Sequence, residues 1–399
     1  MPTTSSALLS PRQRVQRALD HQQPDRLPVD FLAVNEIWDR LIAHLQPDVS
    51  TVGPSEYFEP AREALLRQLE VDCRLLAYDM FCNPPEAVRH PGGQVEWWQV
   101  HSRSTPNRMW REKLPGDEYY EVFGRHTRVS HNATGAYEEL ASAPLGAAET
   151  LSDLQAHPWP EPDWWDFSPI PGIIAQWDSH QEYHLRFRIG SVFEVAWQLR
   201  GLQAFLMDMA TEPDIPKYIM ARLTDVYVEL TRRVLEAARG RLDMVYFYDD
   251  VATQNNLMIS KDMWAEFIRP CHARLIEVAR AHGVKVMYHS DGAMRALLPE
   301  LIDLGVDVLN PVQADAAGMD PAGLKTDFGA QLAFHGGIDI IKTLPRGTVE
   351  DVRAEVVARR QVLGAGGGYV MASSHHIQSD TPLENILAMY DLGLRAYEA

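Results

Sequence analysis

The sequence predicts an α/β protein built as a (β/α)8 (TIM) barrel, distorted, with an inserted antiparallel flap between strands 2 and 3. Three observations predict it. Eight apolar runs of strand type lie near residues 28, 74, 186, 245, 286, 307, 333 and 369, and all are followed by helical periodicity or by an irregular insertion. An open doubly wound sheet would show a glycine-rich phosphate loop between an early strand and its helix. The only candidate, Gly364–Gly368, precedes a strand instead. Polar side chains also collect where the strands end, the rim that carries chemistry in a barrel.

Taken in order, Ser10 followed by Pro11 marks a helix N-terminus, with Val15, Ala18 and Leu19 as its apolar stripe. Leu27–Ala33 reads as the first strand, residues 36–44 and 56–69 as helices, and Cys73–Asp79 as the second strand. From 83 to 182 the periodicity fails. The stretch is rich in Trp, Tyr, Pro and Gly, and short alternating runs such as Glu121–Thr127 suggest hairpins. We read it as a flap inserted in one domain spanning 1–399. Its aromatics (Trp97, Trp98, Trp110, Tyr119, Tyr120, Trp159, Trp164, Trp165, Trp177) either line a pocket or bury the insertion against the barrel.

The remaining strands, near 185–191, 244–248, 285–289, 306–310, 332–337 and 367–372, alternate with helical patterns at 193–209, 213–238, 260–282, 295–304, 320–328, 349–363 and 382–397. Pro270 is expected to kink or break the helix over 260–282.

Composition narrows the function. A net charge of −18 argues against nucleic-acid backbones and anionic membrane surfaces as partners. It leaves anionic small molecules open, because a local arginine or metal overrides the global sign. Three cysteines without regular spacing make no disulfide framework and point to a reducing, cytoplasmic setting. Met1–Ser10 is unlike a signal peptide, and no apolar run is long enough to span a bilayer.

The strand ends supply three candidate chemistries. In Lys285-Val-Met-Tyr-His-Ser-Asp-Gly292, His289 and Asp291 stand two apart and so share a strand face. With His375, after the last strand, they make two imidazoles and a carboxylate, a ligand set that leaves a catalytic zinc one open position. A hydrogen-bonded polar rim without metal is the alternative. Asp249 and Asp250 are adjacent; only one can face the barrel axis, where a crowded carboxylate suits acid–base work, and the other reading is helix capping. Arg186 and Arg188 share a face of the third strand, as an internal ion pair or as a clamp on a substrate carboxylate. Asp79, Glu194, Gln313, His335 and His376 complete the set as candidate contacts on the same rim.

Several blocks together resemble the uroporphyrinogen decarboxylase superfamily: Tyr248-Asp-Asp-Val-Ala-Thr-Gln254, His282-Gly-Val-Lys-Val-Met-Tyr-His-Ser-Asp-Gly292, Leu304-Gly-Val-Asp-Val-Leu-Asn-Pro-Val-Gln313, Phe334-His-Gly-Gly-Ile-Asp339 and the run from Gly367 to Asn385. The opening Pro11–Leu19 and Pro24–Val29 are similar to that family's start. The resemblance implies the distorted barrel. It does not imply the founding activity, because the Arg-Gln-Ala-Gly-Arg-Tyr segment that grips the porphyrinogen is replaced here by Phe31-Leu-Ala-Val-Asn-Glu-Ile-Trp38.

The family's corrinoid-linked methyltransferases hold zinc with a His-x-Cys motif and a later Cys. By that resemblance His289 matches the His, while Asp291 and His375 stand where the thiolates would be, and Glu194 is a conceivable fourth ligand. Replacing thiolates by oxygen and nitrogen donors leaves more positive charge on the metal and favours an oxygen-bearing methyl donor. The expectation is a zinc-assisted methyltransferase or O-demethylase, exchanging a methyl group between a small methoxylated substrate and a corrinoid or folate carrier. Asp249 or Asp250 and His335 would serve catalysis, and a corrinoid protein would be the partner; the chain would also pair as a homodimer. A cofactor-free decarboxylase and a non-catalytic ligand-binding accessory subunit are the competing expectations.

Overall fold

The computed structural model describes residues 8–97, 107–132, 135–395 and 397. Two sheets carry the chain. In chain order the strands are β1 (Cys73–Ala77), β2 (Gln94–Glu96), β3 (Arg111–Leu114), β4 (Glu118–Tyr120), β5 (His126–Asn132), β6 (Gly135–Ser142), β7 (His184–Arg188), β8 (Met244–Tyr248), β9 (Lys285–His289), β10 (Val308–Val312), β11 (Ala333–Ile338) and β12 (Tyr369–Ser373). Strands β2–β6 form an antiparallel meander, and β1 and β7–β12 a parallel sheet in the order β1-β7-β8-β9-β10-β11-β12. The parallel sheet curls with helices outside it, giving the α/β barrel that the eight-run pattern predicts.

The first strand is the departure. Leu27–Ala33 runs along β12 and closes the ring, but it forms only isolated parallel bridges, Val29 with Met371 and Ala33 with Ile377. Its backbone explains this. Pro28 has no N–H to donate. The Val29 N–H is taken by the Asp72 carboxylate at 2.9 Å rather than by the backbone of β1. Helix boundaries shift for similarly local reasons. The 193–209 pattern divides into Phe193–Arg200 and Leu202–Thr211 at Gly201, whose φ of +88° no helix accommodates. The 260–282 pattern passes through a π turn, Trp264–Ile268, before Arg269–Ala281, so Pro270 sits in a first turn, where its missing N–H costs nothing.

The helix Pro11–Leu19 begins as its sequence dictates, with Ser10 and Gln13 forming a reciprocal capping box. It plugs the barrel floor: Val15 and Leu19 pack with Cys73, Met244, Met287, Val308, Ala333 and Val370. Glu121–Thr127, expected as alternating strand, is mostly the turn between β4 and β5, because Gly124 turns back at φ +82°. The insertion's aromatics are packing groups: Trp110, Tyr119, Trp159, Trp165 and Trp177 are buried, while Trp98 lies outside the described residues.

Strand alternation sets the barrel's interior in layers. On β7, His184, Arg186 and Arg188 point inward at rising heights. His184, at the floor, is 1% exposed, and neither ring nitrogen has a partner among the described residues. Burial pushes it down to about 4, with Asp243 opposing and Arg186 and Arg12 assisting. The folded state therefore keeps His184 neutral where the unfolded chain, near 6.5, takes up a proton. Stability is lost as pH falls from about 6.5 towards 4. We expect the loss in unfolding free energy between pH 7 and pH 5 to be smaller by about 2 kcal/mol in His184→Leu than in the wild type, read by urea denaturation at both pH values.

Candidate active site

The site is assembled by the C-terminal ends of the barrel strands and roofed by the meander. Between them lies a cavity of about 340 Å³. Arg188, Tyr246, Tyr248, Asp250, His289 and Glu194 reach it from the barrel side. Thr127, Glu138 and Leu140 reach it from β5 and β6, with Arg125 from the turn before β5 and His375 and His376 from the loop after β12.

Three donor groups converge on one wall. His289, Asp291 and His375 can each offer a ligand atom within 4.8 Å of the others. His289 Nε2 is 3.9 Å from Asp291 Oδ1, and His375 Nε2 is 3.8 Å from Asp291 Oδ2. Small side-chain rotations would bring these atoms to the spacing of a tetrahedral centre, and two imidazoles with a carboxylate leave one position open. The residues fit a zinc ion. The turn that presents Asp291 is tightly determined: Gly292 has φ +90°, and a Cβ there would lie 2.4 Å from the Thr253 carbonyl.

Behind His289 runs a chain of hydrogen bonds. Asp30 accepts from His335 Nε2 at 2.9 Å. His335 Nδ1 lies 2.6 Å from the Asn310 amide nitrogen, and Asn310 Oδ1 lies 2.6 Å from His289 Nδ1. Each link fixes the next. Burial holds His335 below the usual imidazole range, against the pull of Asp30, so its ring is neutral with one N–H. That proton faces Asp30, which leaves Nδ1 to accept from Asn310. The amide oxygen then faces His289 and must receive Nδ1–H. His289 is thereby left with Nε2 as a lone pair toward the cavity, the arrangement a metal-ligating histidine needs. Without a metal, burial opposes the charged form of His289, but Asp291, Asp250 and the Asn310 bond outweigh it and raise its pKa. Burial lowers that of His375.

The two adjacent aspartates separate by strand parity. Tyr246 and Tyr248 face inward, and Asp250 continues that face. It lines the cavity, accepts the Asp291 N–H at 2.8 Å and lies 3.7 Å from His289 Nε2. Asp249 turns outward and is wholly buried. It accepts from Ser191 Oγ, from the Phe193 and Glu194 amides at 2.8 and 3.0 Å, and from His272 Nε2 at 2.6 Å. Asp249 therefore caps the helix Phe193–Arg200 and does not reach the cavity; the candidate catalytic role falls to Asp250 alone. Glu194, beside it, is raised to about 7, first by burial and then by Asp250.

The arginines separate by height. Arg186 is buried within the barrel, paired with Asp30 and 3.3 Å from His335 Nε2, and so is an internal ion pair and not a clamp. Arg188, one layer higher, lines the cavity and bonds Asp79 at 3.1 Å. Asp79 is buried behind Arg188 and braces it. His335, expected as a direct contact, is 2% exposed and acts through Asn310. Gln313 accepts the Gly292 N–H at 2.8 Å and donates to Gln254, bracing the Asp291 turn outside the cavity lining. His376 lines the cavity, its Nδ1 3.2 Å from that of His375. Residue-by-residue reading missed the roof, because Arg125, Thr127, Glu138 and Leu140 sit in a stretch with no strand-end signal. It also missed the inward tyrosines, for which the i, i+2 spacing before Asp250 was a usable signal.

Fold and site together define an α/β barrel with a histidine–carboxylate centre at its C-terminal mouth. The family model for uroporphyrinogen decarboxylase (URO-D) matches residues 179–393, more than half of the chain, and the chain belongs to that family. No curated relative matches it. Among solved structures it is similar to a methyltransferase from Methanosarcina mazei, at 17% identity and a TM-score of 0.58, over 96% of this chain and 97% of that one. That likeness of fold reaches beyond the residues that the family model matches. No helix among the described residues is long and apolar enough to cross a membrane.

Proposed function

We propose that this protein is a metal-assisted methyltransferase that takes a methyl group from a small methoxylated substrate to a corrinoid or folate carrier, the corrinoid borne by a partner protein. The observation that carries the reading is that ligand atoms of His289, Asp291 and His375 lie within 4.8 Å of one another beside the cavity, with Asn310 Oδ1 2.6 Å behind His289 Nδ1. Zinc bound there would supply Lewis acidity toward the ether oxygen. Glu194 faces the same cavity and, raised to about 7 by burial and then by Asp250, can carry a proton near neutral pH. Glu194 is placed to hand that proton to the oxygen when the carrier's nucleophile takes the methyl group and the carbon–oxygen bond breaks, and the Asp250 carboxylate beside it favours the protonated form. The roof from β5 and β6 covers one side of the cavity. A cavity of about 340 Å³ suits a small ligand.

The test is methyl transfer from a panel of methyl ethers to reduced cobalamin, before and after exhaustive chelation. The reading expects turnover that falls by at least about a hundredfold on chelation and returns with zinc. Carbon dioxide release that survives chelation would replace it with decarboxylation.

A further inference from the structure

We infer that the substrate carries a carboxylate, bound by Arg188 at the pole of the cavity away from the metal-ligand cluster. The inference rests on the methyl-transfer reading for the other end of the substrate but stands on its own geometry.

Arg186 and Arg188 differ in what they have left to give. Arg186 is buried against Asp30 inside the barrel. Arg188 faces the cavity with a guanidinium that presents five N–H donors. One of its terminal nitrogens bonds Asp79 at 3.1 Å, and its Nε, though buried, has no hydrogen-bond partner among the described residues. A buried donor without a partner is costly, and a planar fork beside a cavity is suited to a carboxylate.

The walls give direction. Arg188 is the register partner of Tyr246 on β8, and the Tyr246 ring lies 6.2 Å from that of His289. The tyrosine therefore spans from the arginine to the ligand wall, an apolar face along which a planar body lies. Glu194, Asp250 and Asp291 gather at the histidine end and repel an anion there. Arg125, on the roof, is paired with Glu121 and bonds Gln198, which in turn bonds Glu194, so its charge is taken up at the histidine end. A carboxylated aryl methyl ether thus lies with its acid at Arg188, its ring on Tyr246 and its ether oxygen at the cluster.

The experiment compares two isosteric probes, 4-methoxybenzoate and 4-methoxybenzamide, by calorimetry on the wild type and on Arg188→Gln, with zinc content measured alongside. The wild type should bind the benzoate at least about thirtyfold tighter than the amide, and Arg188→Gln should bind both alike with unchanged zinc. Equal wild-type affinities, or a preference retained in Arg188→Gln, would overturn the inference. Should Arg188→Gln not fold, Arg188→Lys, which keeps the charge and loses the fork, should cut the preference at least about threefold; an unchanged preference counts against the clamp. Zinc uptake without carboxylate preference would sink this inference alone. Carboxylate preference in a protein that takes up no zinc would sink the methyl-transfer reading alone.

Discussion

Alanine at Asp249 will lower the unfolding free energy by about 3–5 kcal/mol, whereas alanine at Asp250, the next residue, will change it by less than about 1 kcal/mol. The asymmetry follows from parity. Asp249 is the shared acceptor for Ser191, for the first amides of the helix Phe193–Arg200 and for buried His272. Removing it strands several donors at once, in a place water does not reach. Asp250 is half-exposed in the cavity, where solvent replaces its bonds. Chemical denaturation separates the two. The activity effect should run opposite to what Asp249's burial suggests: Asp250→Ala should fold normally and lose most of its turnover, because Asp250 faces the reacting groups. Equal stability losses would mean that the parity assignment is reversed.

Replacing Asn310 by leucine will weaken zinc binding by about ten- to a hundredfold while leaving all the candidate ligands in place. Among the described residues, Asn310 joins His335 to His289, and its Oδ1 is the acceptor that draws the proton of His289 to Nδ1. With leucine there, His289 is free to place its proton on Nε2 and must give up that tautomer to bind. The check is a competitive chelator titration of wild type and Asn310→Leu. Affinity unchanged within threefold would show that the chain from Asp30 does not act on the site.

What the sequence made legible followed from short-range periodicity. The alternation of apolar runs and helical stretches located seven strands of the barrel, and His289 and Asp291, two apart before a glycine, marked one wall of the site. The eighth stave escaped as a ladder because whether Leu27–Ala33 pairs on both sides depends on Pro28 and on a carboxylate from residue 72. Asp249 and Asp250 were distinguishable in principle, since Tyr246 and Tyr248 fix the inward parity, but the outward partner, the start of the helix Phe193–Arg200, is remote in sequence. Arg186 and Arg188 carry the same pattern and differ only in height above the floor, which a face-sharing rule does not encode. The roof was illegible for a physical reason: its strands owe their position to cross-strand pairing and aromatic burial, not to any residue spacing near the chemistry. Asn310 stood visibly at a strand end. Its importance lies in its register beside His289, a tertiary fact.

The central claim is that His289, Asp291 and His375 hold a metal ion. Elemental analysis of the purified protein tests it most directly, on the wild type and on the His289→Ala, His375→Ala double variant. The account predicts about one zinc per chain in the wild type, none in the double variant, and closely similar folded spectra for both. A wild type that stays metal-free after incubation with zinc, or a double variant that keeps its full complement, would contradict it.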